Sequence, residues 1–131
     1  MTELDNQKQK RIWIAEDNPT IREMLIEILE AEGHKVVSFC DGSRLISALN
    51  EQSANPHLVI TDYQMPEADG VKVIDAVRRI YGEALPIVMC SSDYQLAKEF
   101  EKRGANHFIP KPFYLPTFIE VIEQCLGTRE A

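Results

Sequence analysis

The segment LVITDYQMPEADG (58–70) changes character twice in a short span. It opens as an apolar, β-branched run over Leu58–Thr61 and turns acidic at Asp62. A loop with Pro66 follows, ending at Asp69, a residue type that caps helices because its carboxylate accepts first-turn N–H groups. Helical spacing then predicts a helix over Val71–Tyr81, closed by Gly82. Strand, loop and helix in that order make half of a βαβ unit.

The same alternation recurs on both sides. Apolar runs stand at Ile12–Ala15, Lys35–Phe39, Pro86–Cys90 and His107–Ile109. Between the first two, Ile21, Leu25, Ile28 and Leu29 form one stripe of a helix. Asn18 caps that helix, Pro19 starts it and Gly33 ends it. Further helices are expected at Ser43–Asn50, Tyr94–Arg103 and Pro116–Leu126, with Asp41 or Ser43 and Asp93 as caps and Gly104 as a terminator. Five strands alternating with five helices imply an α/β fold, with a mostly parallel sheet covered on both faces. Four of the five strand runs are nearly uniformly apolar, as central parallel strands are. The expected domain spans residues 11–126, with residues 1–10 a disordered N-terminal extension and 127–131 a polar tail.

Composition limits the function. The chain has 131 residues, one domain's worth, and 14 Lys and Arg against 21 Asp and Glu give a net charge of −7. That balance opposes direct nucleic-acid binding, which draws its affinity from cations on phosphates. No apolar run approaches the ~20 residues of a membrane span, and the polar opening has no signal-peptide core. A cytoplasmic location is expected. Cys40, Cys90 and Cys125 are odd in number and read as reduced core thiols.

A doubly wound sheet binds ligands beyond the carboxyl ends of its strands. The residues there are Glu16-Asp17, Cys40-Asp41, Asp62, Ser91-Ser92 and Pro110-Lys111-Pro112. Three carboxylates, Glu16, Asp17 and Asp62, would share one rim with a hydroxyl and a lysine. Crowded carboxylates raise one another's pKa or demand a cation, and a hard oxygen set of this kind suits Mg²⁺. Lys111 and Ser91 could hold phosphate oxygens, so the set suits a phosphoryl acceptor, which needs positioning and charge neutralisation. Plainer readings compete. A strand-end Asp often only caps a helix, and a turn serine often only satisfies a backbone group. Asp62 precedes a loop rather than a helix start, so capping explains it poorly. His34, His57 and His107 are scattered and form no ligand cluster. Met65 reads as a packing residue and Trp13 as a strand residue covered by a helix. Tyr63 is expected to be exposed beside Asp62, where it could gate the site.

The segments IWIAEDNP (12–19), VITDYQMPEADG (59–70), PIVMCSS (86–92) and GANHFIPKPF (104–113) resemble those of response-regulator receiver domains of two-component signalling. The resemblance runs from about Arg11 to Leu126. It implies a flavodoxin-like doubly wound (βα)5 fold with strand order 2-1-3-4-5, which places Asp17 beside Asp62. It implies that Asp62 accepts phosphate from a histidine kinase or phosphotransfer protein, with Mg²⁺ held by Asp17, Asp62 and the backbone carbonyl of Gln64. Glu16 matches the remaining acidic position, Ser91 the switch hydroxyl, Lys111 the phosphate-binding lysine and Phe108 the aromatic switch. Gln64, Ser92 and Asp93 match positions that tune dephosphorylation. Two departures stand out: Phe108 lacks a tyrosine hydroxyl, and Ser92 replaces a usually apolar residue. A downstream protein would dock on the fourth helix, fifth strand and fifth helix, the region of Lys98, Lys102 and Arg103. Phosphorylation-dependent homodimerisation is left open. No output domain follows Leu126, so either a stand-alone regulator or a receiver from a longer protein is expected.

The rival readings have specific weaknesses. An FMN carrier would want a Ser/Thr-rich loop where Glu16-Asp17 stands, and a dinucleotide enzyme needs a Gly-x-Gly-x-x-Gly that is absent. The stronger rival is a receiver-like module that docks partners without phosphorylation. No enzymatic role is expected beyond catalysis of the domain's own phosphorylation and dephosphorylation.

Overall fold

A computed structural model describes residues 9–127, and residues 1–8 and 128–131 lie outside the described residues. Its strands are β1 (Arg11–Ala15), β2 (Lys35–Phe39), β3 (Leu58–Asp62), β4 (Ile87–Ser91) and β5 (His107–Pro110). Its helices are α1 (Pro19–Ala31), α2 (Gly42–Leu49), α3 (Gly70–Tyr81), α4 (Ala97–Arg103) and α5 (Leu115–Leu126). The strands form one parallel sheet in the order β2-β1-β3-β4-β5, the flavodoxin-like arrangement. Pairing of β1 with β2 begins just before Arg11, because the Lys10 carbonyl accepts the Lys35 N–H at 2.8 Å.

Successive strand residues point to opposite faces, and here both faces are covered. One face buries Trp13, Val59, Ile87 and Met89 against Leu45, Val73, Val77 and Phe100 of α2, α3 and α4. The other buries Ile14, Ile60, Val88 and Ile109 against Leu25 and Leu29 of α1 and Phe118 and Ile122 of α5.

Local chemistry sets the helix starts. Asn18 Oδ1 accepts the N–H groups of Thr20 and Ile21, Asp41 Oδ1 that of Arg44, and Asp69 Oδ1 that of Lys72. Gly70 is required by close approach: a Cβ there would lie 2.4 Å from the Asp62 carbonyl oxygen and 2.7 Å from Met89 Cε.

Three expectations are corrected. The segment Tyr94–Arg103 is not one helix but a 3₁₀ turn, Tyr94–Leu96, followed by α4. The Asp93 carboxylate makes no capping bond; the Asp93 N–H instead donates to Ser91 Oγ at 3.0 Å, which ties this loop to β4. The cysteines are not a uniform core set. Cys90 is buried and Cys125 half-buried, but Cys40 is exposed where edge strand β2 ends. Burial pushes the Cys90 thiol far up and that of Cys125 to about 11, so both stay protonated.

Candidate functional site

The register of the sheet assembles the site. Ala15 pairs with Thr61, Asp62 with Cys90 and Ser91 with Pro110, so the ends of β1, β3, β4 and β5 lie along one rim. The next residues out, Glu16-Asp17 and Lys111, therefore reach the same place as Asp62.

Glu16, Asp17 and Asp62 converge there. Each offers a carboxylate oxygen within 4.8 Å of the others; Glu16 is buried, Asp62 half-buried and Asp17 exposed. Three hard oxygen donors this close, one of them facing solvent, fit a divalent cation that keeps part of its water shell. Lys111 Nζ lies 2.7 Å from Glu16 Oε1 and 3.3 Å from Asp62 Oδ1. One ammonium contacts two of the three clustered carboxylates, and the imbalance favours a second cation.

The electrostatics follow from burial. Desolvation pushes the Glu16 carboxyl above its ordinary range; the Lys111 bond and the Asn18 N–H oppose this, while the Asp62 charge adds to it. Burial would lower the Lys111 ammonium, but its bond to Glu16 and the two nearby carboxylates outweigh that and raise it. Lys111 therefore stays charged.

Of the other expected residues, Ser91, Ser92, Gln64 and Asp93 lie at strand ends or in the loops that follow, and Phe108 sits within β5 against the core. Ser91 is buried and its hydroxyl accepts from Asp93. Gln64 Nε2 approaches Asp93 Oδ2 at 3.4 Å, so these two residues meet across the mouth beside exposed Ser92. Phe108 is half-buried and stacks on Phe100 with ring centroids 5.8 Å apart at 23°. The peptide bond between Lys111 and Pro112 is cis.

Tyr63 is not the exposed gate expected. It is half-buried, its ring rests on Phe100 at 4.8 Å, and its N–H donates to Asp62 Oδ1 at 2.8 Å. The reason is the apolar socket that Phe100 provides under the loop. Sequence reasoning also missed Arg22, whose Nη1 donates to the Glu16 carbonyl at 2.9 Å. Its signal was the i, i+4 spacing from the Asn18 cap, which puts it on the helix face next to the rim. Beside the site, Ile21, Met24 and Ile28 of α1 and Phe113, Leu115 and Phe118 flank an apolar groove of about 280 Å³ that reaches Lys111.

No helix among the described residues is long and apolar enough to cross a membrane.

Comparison with known proteins agrees with this arrangement. Residues 12–123 match the family model of the response regulator receiver domain. The chain is 34% identical over 120 residues to the chemotaxis protein CheY of Bacillus subtilis, covering 89% of this chain and 98% of that one. It is 35% identical over 123 residues to the peroxide stress-activated histidine kinase mak3 of Schizosaccharomyces pombe, covering 88% of this chain and 5% of that one. Other curated relatives are also much longer, and the chain spans 24% and 19% of two of them. The response regulator TrrA of Thermotoga maritima, solved in complex with Mg²⁺-BeF, superposes with a TM-score of 0.80 at 26% identity, over 89% of this chain and 99% of that one. The chain belongs to the family of response regulator receiver domains of two-component systems.

Proposed function

We propose that this receiver domain is a switch phosphorylated on Asp62 by a histidine kinase or phosphotransfer protein. The observation that carries the reading is the meeting of Glu16, Asp17, Asp62 and Lys111, drawn from three separate chain segments, around one half-open point. Glu16, Asp17 and Asp62, with the Gln64 backbone carbonyl, would hold Mg²⁺, which supplies charge neutralisation for an incoming phosphoryl group.

The chain's own residues then have defined tasks. An Asp62 carboxylate oxygen attacks phosphorus as the phosphorus–nitrogen bond of a phosphohistidine breaks, and that bond's electron pair returns to the imidazole. Tyr63 N–H holds the other end of the geometry by fixing the Asp62 carboxylate. Lys111 is close enough to exchange its Glu16 contact for a phosphoryl oxygen. Ser91 accepts the Asp93 N–H and keeps its own proton to donate, so movement of its hydroxyl toward phosphate draws the Asp93 loop with it. Phe108 would leave its stack on Phe100 to fill the space that opens, changing the face made by α4, β5 and α5. Exposed Tyr94 and the Lys98 and Lys102 side chains lie on that face, where a downstream protein would dock. The apolar groove on α1 runs up to Lys111, so a donor helix seated on it brings its histidine to Asp62.

The test is incubation with a small phosphodonor and Mg²⁺, followed by mass spectrometry with peptide mapping. One phosphoryl group on the peptide holding Asp62, absent with EDTA, is expected. No gain of mass would favour the rival reading, a docking module that works unphosphorylated.

A further inference from the structure

Arg22 occupies an unusual electrostatic position. The chain is acidic and three carboxylates converge nearby, yet the Arg22 guanidinium makes no ion pair among the described residues. It donates instead from Nη1 to a neutral acceptor, the backbone carbonyl of Glu16, at 2.9 Å. That carbonyl lies in the peptide joining Glu16 to Asp17. The bond therefore fixes the orientation of the unit carrying two of the three clustered carboxylates.

The rest of the loop is braced from the same helix. Asn18 N–H donates to Glu16 Oε2 at 3.2 Å, Asn18 Oδ1 caps the first turn of α1, and Arg22 N–H returns to the Asn18 carbonyl at 2.9 Å. Among the described residues the side chain of Asp17 has no such brace, so its aim depends on the backbone that precedes it. Arg22 grips that backbone directly.

We infer that Arg22 is a positioning residue for divalent-cation binding, acting through the Glu16 carbonyl to hold Glu16 and Asp17 in a binding geometry. This rests on the Mg²⁺ reading above. Groups that orient ligands without touching the ion typically contribute 10–100-fold in metal affinity. A guanidinium's charge alone would act in the opposite direction, since a cation beside a cation site repels the ion. The two possibilities therefore differ in sign.

The experiment is calorimetric titration of the full chain with MgCl₂, comparing wild type, Arg22→Met and Arg22→Lys, with unfolding in EDTA measured in parallel. Arg22→Met keeps the stem's length and helix propensity but removes donor and charge. It is expected to bind Mg²⁺ about tenfold more weakly. A single bond from Nη1 needs no planar fork, so Arg22→Lys should restore binding to within about threefold of wild type. Mg²⁺ binding by Arg22→Met as tight as wild type, or tighter, would overturn the inference. So would failure of lysine to rescue. Should Arg22→Met not fold in EDTA, Arg22→Leu, which likewise lacks donor and charge, takes its place under the same criteria. If wild type itself takes up no Mg²⁺, the metal reading fails and this inference falls with it. A wild type that binds beside an unaffected variant sinks the inference alone.

Discussion

Lys111 Nζ lies 2.7 Å from Glu16 Oε1 but 3.3 Å from Asp62 Oδ1, so the ammonium is bonded first to the neighbour of the proposed acceptor. The buried partner, Glu16, depends on it most. Under the proposed function, a charge held this way would reach an incoming phosphoryl group without leaving the rim.

Removing that ammonium should therefore cost stability. Lys111→Ala leaves buried Glu16 without its cation and is expected to destabilise the fold by about 1–3 kcal/mol. The sign with pH follows from Glu16. Its folded pKa is already raised by burial and rises further without Lys111, so the folded state binds more protons than the unfolded one. Stability then falls as pH rises through the carboxyl range. Urea midpoints should show a larger deficit at about pH 8 than at about pH 5. Equal deficits at both would contradict the pairing.

Mg²⁺ should stabilise the fold by mass action, by about 2.7 kcal/mol at a hundredfold excess over its Kd, and EDTA should remove that gain. Asp62→Asn relieves like-charge repulsion, so in EDTA its thermal midpoint should equal or exceed that of wild type. It should gain little from Mg²⁺ and take up no phosphoryl group. A variant less stable than wild type in EDTA would mean that the Lys111 pairing outweighs the repulsion among the carboxylates.

Ser91→Ala removes the acceptor for the Asp93 N–H, a loss of about 1 kcal/mol. The variant should still be phosphorylated, because Asp62 and the carboxylates are untouched. Its α4–β5–α5 face should no longer respond. Hydrogen exchange over residues 94–110, with and without beryllofluoride, reads this directly, and an undiminished response would refute the coupling.

Gly70→Ala should be among the costliest small substitutions. Its Cβ would sit 2.4 Å from the Asp62 carbonyl oxygen, which is backbone and cannot swing aside. A loss of about 1–3 kcal/mol is expected, as for other overpacked core positions, together with weaker Mg²⁺ binding as β3's end shifts. A crystal structure with Asp62 undisplaced would argue against the second part.

Away from the site, Arg11 N–H donates to His57 Nδ1 at 3.0 Å, a bond that a protonated imidazole cannot accept. Burial first, then Arg11 and Lys10, lowers the His57 pKa. Below about pH 6.5 the unfolded chain therefore binds the extra proton and stability falls as pH falls. His57→Gln keeps an acceptor and should remove this component. Unfolding curves for the two proteins that run parallel from about pH 7 to about pH 5 would exclude the mechanism.

Much of the fold was legible in the chain because its causes are local. Runs such as Leu58–Thr61, the caps Asn18 and Asp69, and Gly82 and Gly104 act through neighbours within a turn or a strand, where period and capping chemistry operate. The helix expected over Tyr94–Arg103 begins instead as a 3₁₀ turn, and the residue leading into it, Asp93, is held from outside the segment by Ser91 Oγ on its N–H and Gln64 Nε2 on its carboxylate. Cys40 and Tyr63 were misjudged for the same kind of reason. Exposure is settled by what packs on a residue: β2 is an edge strand, and Phe100 lies under Tyr63.

By itself, then, the sequence determined the alternation of strands and helices, and it put acids, a hydroxyl and a lysine at strand ends. Only the tertiary structure decided that Lys111 rests on Glu16 more closely than on Asp62, that Arg22 grips the Glu16 carbonyl, and that Phe100 joins Tyr63 to Phe108. Those choices depend on which partners strand order and packing bring within reach of one another, and no local pattern encodes that.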